Sequence, residues 1–132
     1  MKAAYHSVVL FVRDIEKSKR FYNGTMQIDI DMDMGINVIP KNGITLWQIN
    51  EKHIIPQTVG MNKLTHKGIG FELYFETENM KKIAATIEEN GIPMVHKFHE
   101  ELWGQGTIRI YDPDGNIIEI GETLRCFLTR MK

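Results

Sequence analysis

Hydrophobic and polar positions divide the chain into two halves that follow the same order of predicted elements. In the first half, residues 6–12 are rich in valine and predict a strand. Asp14 then offers a helix cap, and apolar positions at helical spacing predict an amphipathic helix over residues 15–26. Alternation of apolar residues with aspartate predicts a half-buried strand over residues 28–34, and residues 38–49 predict a hairpin.

The second half repeats this order after a segment of weak periodicity. Residues 51–67 show no clear pattern and predict a long connection. Residues 70–75 then predict a strand, and Thr77 offers a second helix cap ahead of an apolar helical stripe. A short strand follows, and two histidines, His96 and His99, are expected in a loop.

The segment WGQGTIRIYDPDGNIIEIGE, residues 103–122, predicts a closing β-hairpin. Two runs rich in isoleucine flank the turn DPDG at residues 112–115, where proline presets one backbone angle and glycine can become left-handed. Glu119 lies between Ile118 and Ile120, and successive residues of a strand face opposite sides. If the isoleucines face the core, Glu119 faces either solvent, which is the common arrangement, or a cavity.

Alignment of the two predicted helix caps, Asp14 and Thr77, reveals an internal repeat, since Val12 then falls on Phe75. We therefore expect two βαβββ modules that need each other to bury their sheets, in a single α+β domain. The expected bounds are residues 4–50 for the first module, 51–67 for the connection, 68–122 for the second module and 123–132 for a C-terminal tail.

Composition and charge narrow the possible partners and the compartment. The 132 residues are 42% apolar and 25% charged, with a formal net charge of −1, as in ordinary soluble domains. No basic stripe is present to follow a phosphate backbone, so we expect no nucleic-acid partner. No apolar run approaches the roughly 20 residues of a membrane span, so we expect no membrane partner. A single cysteine, Cys126, cannot form an internal disulfide, which favours a cytoplasmic location.

Two stretches of the chain resemble a known group of proteins. The opening SVVLFVRDIEKSKRFY (residues 7–22) and the closing WGQGTIRIYDPDGNIIEI (residues 103–120) are similar to the vicinal oxygen chelate superfamily. That superfamily includes glyoxalase I, bleomycin-resistance proteins and extradiol dioxygenases. The resemblance implies two βαβββ modules whose curled mixed sheets form a cup around a ligand site, and often a homodimer. Because unrelated reactions share this fold, it implies little about the reaction.

The resemblance also assigns four positions to a divalent metal ion in the metal-dependent members. The matching residues here are Ser7, Gln48, Gly70 and Glu119, while His6 lies one residue away from the first position. One carboxylate, one amide, one hydroxyl and a glycine do not suit Zn or Ni, and hard cations need more negative charge. We therefore expect no metal cofactor. The alternative is a Zn, Ni, Mn or Fe ion held by Gln48, Glu119 and, through a bulge in the first strand, His6.

The superfamily architecture and the alternation of strand residues together predict a ligand pocket. Such a pocket, mostly apolar and aromatic with a few polar groups, is typical of small-molecule sites. Taken singly, an aromatic residue in such a pattern more often belongs to the core, and Glu72 could equally face solvent. The predicted lining residues are Ser7, Val9, Phe11, Leu46, Gln48, Gly70, Glu72, Tyr74, Trp103 and Glu119.

Two functions follow from this pocket. The first is a small-molecule-binding protein similar to the bleomycin-resistance members, without the usual metal, whose acids attract a cationic or hydrogen-bonding ligand. The alternative is a metal-dependent enzyme, a glyoxalase-type lyase or isomerase or a dioxygenase, with an atypical ligand set. Glu119 is then the catalytic candidate and metal ligand, and Glu72 a candidate base.

One position departs from the superfamily pattern in a way that affects the backbone. The superfamily usually has a glycine after the first helix, where this chain has Gln27, whereas the second module keeps Gly91. A left-handed Gln27 would cost roughly 1 kcal/mol relative to glycine. Alternatively, Gly24 ends the helix early and the loop is rebuilt.

Overall fold

Two mixed four-stranded sheets, one in each half of the chain, carry the fold in the computed structural model, which describes residues 1–65 and 71–130. The chain divides into two units, Met1–Lys67 and Gly68–Lys132. The strands are β1 (Val8–Phe11), β2 (Ile30–Asp33), β3 (Asn37–Pro40), β4 (Ile44–Trp47), β5 (Glu72–Thr77), β6 (Met94–Glu100), β7 (Gly106–Tyr111) and β8 (Ile117–Glu122). The helices are α1 (Ile15–Lys19), α2 (Ile54–Val59), α3 (Met61–Thr65), α4 (Met80–Glu89) and α5 (Leu124–Arg130).

Both sheets have the same topology. Their strand orders are β1-β4-β3-β2 and β5-β8-β7-β6. In each sheet the first and last strands of the unit pair in parallel, and the remaining neighbours are antiparallel. With α1 and α4 following the first strand of each unit, this arrangement confirms the predicted α+β fold of two βαβββ modules.

The closing hairpin separates an apolar face from a polar one. Four isoleucines on β7 and β8 are at most 3% exposed, and burying each contributes about 1.5–3 kcal/mol. They are Ile108, Ile110, Ile118 and Ile120. Arg109 and Glu119 alternate with these isoleucines and are direct cross-strand partners. The polar side chains of the hairpin therefore share the face opposite the core.

A buried aspartate builds the turn of this hairpin. The carboxylate Oδ1 of Asp112 accepts hydrogen bonds from the backbone N–H groups of Asp114 at 2.9 Å and Asn116 at 2.8 Å. Gly115 has φ +84°, the left-handed conformation that the sequence predicts for it. The turn fixes the register in which β7 and β8 pair. The antiparallel pairing of these strands confirms the predicted hairpin.

The first helix is shorter than predicted. Asp14 caps it as expected, since its Oδ1 accepts from the backbone N–H groups of Glu16 and Lys17. The α-helix ends at Lys19, and Arg20–Thr25 continue as a π-helix that contains the Asn-Gly pair. Glycine costs about 1 kcal/mol in a regular helix, which favours departure from the α-helical pattern at this point.

The second helix begins two residues later than predicted. Its cap is Asn79, whose side chain accepts from the backbone N–H of Lys82 at 3.1 Å. Thr77 instead accepts from the backbone N–H of Asn79, so it supports the cap without being the cap.

Three segments that the sequence predicts as irregular are regular. The connection contains α2 and α3, each of six residues or fewer, which is too short to show helical periodicity. The predicted loop with His96 and His99 is part of β6, whose residues are nearly all exposed and therefore show no alternation. The tail forms α5. Among the described residues, no helix is long and apolar enough to cross a membrane.

Gln27 adopts the left-handed conformation, with φ +56°, and Gly91 has φ +58° after the second helix. We expect Gln27→Gly to raise the free energy of unfolding by about 0.5–1 kcal/mol, because the left-handed penalty exceeds the added chain entropy of glycine. Gly91→Ala is the reciprocal control. A Cβ there meets nothing within 4 Å, so only the backbone penalty of about 1 kcal/mol should appear. Urea denaturation measures both changes, and a loss of stability in Gln27→Gly would contradict the expectation.

Candidate functional site

Polar and charged side chains converge on the polar face of the second sheet. Each of its four strands contributes one, and the residue that follows β6 contributes another. β7 and β8 place Arg109 directly opposite Glu119, and β6 places His96 opposite Arg109. β5 lies on the other side of β8 and contributes Glu72. Glu101 follows β6 directly. We call these five residues the Arg109 cluster.

The guanidinium of Arg109 is bonded to three carboxylates. Its Nε donates to Glu72 Oε2 at 2.9 Å, its Nη1 to Glu101 Oε1 at 2.8 Å and its Nη2 to Glu119 Oε1 at 2.7 Å. These are the short distances of charge-assisted hydrogen bonds. Glu119 is 6% exposed, so its carboxyl group depends on Arg109 and Glu72 for partners.

The hydrogen bonds of the two ring nitrogens of His96 indicate its tautomer. Its Nε2 lies 3.1 Å from Arg109 Nη1, which can only donate, so Nε2 accepts. Its Nδ1 lies 2.7 Å from the carbonyl oxygen of Lys97 and donates to it. These contacts fit the tautomer that carries its hydrogen on Nδ1, in which His96 accepts a hydrogen bond from the guanidinium.

Two carboxyl groups of the cluster have pKa values shifted in opposite directions. Burial and a hydrogen bond to Glu72 raise the pKa of Glu119, against the opposing charge of Arg109. For Glu72, burial would raise the pKa, but hydrogen bonds to Glu119 and Arg109 lower it overall. Glu119 is the more buried of the two, so its neutral form is favoured relative to that of Glu72.

The remaining charges are held in their ionised forms. The hydrogen bond from Arg109 lowers the pKa of Glu101, and Thr107 adds a second donor at 3.0 Å. Burial would lower the pKa of Arg109, but its bonds to Glu72 and Glu101 and the charge of Glu119 raise it overall.

A buried amide, Gln105, organises the aromatic residues beside the cluster. It is 3% exposed, and its Nε2 donates to Tyr74 Oη at 2.9 Å and to the carbonyl of Glu122 at 2.8 Å. Its Oε1 accepts from Trp103 Nε1 at 3.0 Å. Tyr74 and Trp103 are both half-exposed, and Tyr74 is the register partner of Glu119. The rings are thus fixed at one end and open to a ligand.

The residues assigned to the metal positions do not fit a divalent ion. Gln48 Oε1 accepts from the backbone N–H of Ile15 at 2.8 Å, so it completes the N-terminus of α1. Glu119 is bonded to Arg109, and Gly70 lies outside the described residues. Ser7 is partly exposed directly before β1, and the neighbouring His6 is exposed. Within residues 1–65 and 71–130, no group of three or more His, Cys, Asp or Glu side chains could hold a metal ion.

The first module requires a correction to the predicted pocket. Val9 is exposed, and the Phe11 ring lies 6.0 Å from that of Trp47, on the same face. Leu46 instead pairs in register with Leu10 and is fully buried, on the opposite face. The repeat alignment was displaced by one residue in this strand, because Trp47, and not Gln48, has the register position that matches Glu119.

Sequence reasoning identified Glu119 and Glu72 but missed Arg109 as their partner. The signal was present, since Arg109 lies between two isoleucines just as Glu119 does. In the structure the loop closes with a hydrogen bond from the Asp112 N–H to the Asn116 carbonyl, and from the ends of this loop Arg109 and Glu119 are equally distant and pair. Glu101 and His96 could not be found this way, because β6 was predicted as a loop.

A groove lies on the other face of the sheet. This groove of about 640 Å³ between α4 and β6 is open and mainly apolar. Ile87, Phe98 and Ile108 line it, with Glu88 and Lys97 as charged members. It lacks the converging charges of the Arg109 cluster.

The chain resembles known proteins over nearly its whole length. Residues 5–125 match the family model described as a glyoxalase-like domain. No curated protein matches the chain.

Solved structures share the fold. A protein of unknown function from Agrobacterium tumefaciens strain C58 is 27% identical with a TM-score of 0.79, over 94% of this chain and 97% of that one. A glyoxalase/bleomycin resistance protein/dioxygenase family enzyme from Burkholderia phytofirmans PsJN is 20% identical with a TM-score of 0.76, over 92% and 100%. A lactoylglutathione lyase from Agrobacterium tumefaciens is 21% identical with a TM-score of 0.64, over 93% and 96%.

Substitutions of Glu119 should separate its charge from its hydrogen bonds. Glu119→Gln keeps an acceptor for Arg109 and a donor for Glu72, so we expect less than about 1 kcal/mol loss of stability. Glu119→Leu leaves Arg109 Nη2 without this acceptor and should cost about 2 kcal/mol. Urea denaturation measures both. Equal losses in the two variants would show that the hydrogen bond from Arg109 to residue 119 does not contribute to stability.

The raised pKa of Glu119 also predicts how the free energy of unfolding changes with pH. The unfolded chain releases this proton near the ordinary value of 4.5, before the folded chain does. The stability of the wild type relative to Glu119→Gln should therefore fall as pH rises above 4.5, by at most about 1.4 kcal/mol per pH unit. Denaturation curves of both proteins from pH 4 to pH 8 test this, and a rising difference would contradict it.

Proposed function

This chain belongs to the glyoxalase-like domain family, within the vicinal oxygen chelate superfamily, and we propose that it binds a small organic cation on the polar face of its second sheet. In this proposal the Arg109 cluster supplies the charge, and Tyr74 and Trp103 supply the apolar surface. Binding in this proposal uses no divalent metal, since Gln48 and Glu119 are bonded to other partners and glycine at position 70 supplies no side-chain ligand.

The charge balance of the cluster carries this proposal. Three carboxylates surround one guanidinium, so ionised acids outnumber the base. With all three acids ionised the cluster carries two net negative charges, and protonation of one acid would still leave one. Glu72 is the most exposed of the three acids and offers this charge to solvent. A cation or a group rich in hydrogen-bond donors is therefore favoured over an anion.

The aromatic residues beside the cluster support a ligand with a flat apolar part. Tyr74 follows Glu72 on the same face of β5, and Gln105 links Tyr74 to Trp103. A half-exposed ring fixed by a buried amide loses little entropy when a ligand stacks on it. A cation over such a ring gains a further 0.5–2 kcal/mol or so.

Proton transfer is a second candidate function, and the unequal acids favour it. The pKa of Glu119 is raised and that of Glu72 is lowered, and acid–base enzymes use pairs of acids whose pKa values differ in this way. A lyase or isomerase of this kind would work with these side chains alone. A metal-dependent lyase or dioxygenase lacks this support, and the likeness to the lactoylglutathione lyase concerns the fold.

We also propose a homodimer in the cytoplasm. Cys126 is an exposed free thiol, which suits a reducing compartment. β6 forms the end of its sheet and carries the exposed residues Met94, Val95 and Phe98, which would be covered by a second copy. Light scattering after size exclusion tests the dimer.

Three probes of nearly the same shape test the charge preference. We expect benzamidinium to bind at least tenfold more tightly than neutral benzamide, and benzoate to bind most weakly, because the acids are in excess. Glu72→Gln should weaken benzamidinium binding about tenfold, whereas Glu88→Gln on α4 should not change it. Calorimetry measures these affinities. Preferential binding of benzoate would show that Arg109 recognises the ligand and would reject the proposal.

The affinity for benzamidinium should also depend on pH. A cation near Glu119 lowers the pKa of this carboxyl, so binding releases its proton and strengthens as pH rises above 4.5. The Glu119→Gln variant has no such proton, and its affinity should be nearly constant over the same range. Calorimetry in two buffers of different ionisation enthalpy detects the released proton. If the affinity of Glu119→Gln still depended on pH, the titrating group would not be Glu119, and the expectation would be wrong.

A further inference from the structure

We infer that Arg109 is the resident cation of this site and takes the place of the divalent ion that metal-dependent members bind through the position of Glu119. The inference rests on the proposed function, because it concerns the same site. It adds a reason why ligand binding there needs no metal ion. It depends on three observations: the bonds of the guanidinium, the strand register that fixes it, and the hydrogen bond that Gln48 makes to the backbone of Ile15.

The bonds of Arg109 engage the oxygens that a metal ion would need. Each guanidinium nitrogen is bonded to a different carboxylate, and Nη1 also faces His96 Nε2. These carboxylates and this imidazole are the donor types that Mn or Zn would use. A doubly charged ion on Glu119 would also lie next to the positive guanidinium and be repelled.

The sheet holds Arg109 in this position. Arg109 pairs directly with Glu119 on β8 and with His96 on β6, and Glu72 reaches it from β5. The side chain is 21% exposed, so it cannot leave without exposing a set of unpaired acids. Arginine keeps its charge at every pH that the protein meets, and a chelator cannot remove it.

Replacement of the guanidinium by an imidazole should turn the cluster into a metal site. Arg109→His would place a new nitrogen donor among Glu72, Glu101 and Glu119, next to His96. Arg109→Lys keeps a cation there and is the matched control for charge. Arg125→His, on the exposed side of α5, controls for a histidine that lies elsewhere.

The test is calorimetric titration of each protein with Mn²⁺ and Zn²⁺ alone at pH 7. We expect no saturable binding by the wild type, Arg109→Lys or Arg125→His. Arg109→His should bind one ion per chain at least tenfold more tightly than the wild type. Adding Glu119→Gln to Arg109→His should remove most of this gain.

Two results would overturn the inference. One is a wild-type chain that binds about one ion and loses it in Glu119→Gln, and the other is a folded Arg109→His that binds no better than the wild type. If circular dichroism shows that Arg109→His does not fold, paramagnetic broadening of wild-type amide signals by Mn²⁺ decides. No broadening around Glu119 supports the inference, and broadening confined there overturns it. Because the probes are ions alone, failure of benzamidinium to bind would count against the proposed function and leave this inference standing.

Discussion

The ion pairs of Arg109 are the interaction on which the polar face of the second module depends. Without Arg109, Glu119 would be a buried carboxyl group with no cation beside it. Burying such a group unpaired costs free energy. Arg109 meets that need and holds Glu72 and Glu101 at the same time. The three carboxylates lie around this one guanidinium, and Tyr74 pairs in register with one of them, Glu119. The local chemistry of the site is thus set by an arginine between two buried isoleucines.

The sequence predicted the fold because its strongest signals are local. The Asp-Pro-Asp-Gly turn and the flanking isoleucines specify the hairpin, and the cap at Asp14 specifies the start of the first helix. Elements without these signals were missed. β6 has almost no buried face, and α2 and α3 are too short for a period to appear. The cap at Asn79 was missed since Thr77, two residues earlier, is an equally good cap by composition.

The candidate site was harder to predict because it depends on register. A shift of one residue moves a side chain to the opposite face of a sheet, and this is what separated Gln48 and Leu46 from their predicted pocket. Glu119 needed no alignment, since its neighbours Ile118 and Ile120 define its face. Arg109 could have been inferred by the same alternation. Its bonds to Glu101 and His96 could not, because they depend on a strand that the sequence does not indicate.

The parallel pairing of the first and last strands of each module has a consequence for how the protein folds. β5 cannot find its partner until β8 has been synthesised, because the two strands lie at opposite ends of the module. Contacts between distant parts of a chain form slowly, since a long loop must be closed first. The contact between Glu72 and Arg109 therefore forms late in folding, when β5 pairs with β8. The pair between Glu72 and Arg109 would form after the pair between Arg109 and Glu119, which belongs to the local closing hairpin.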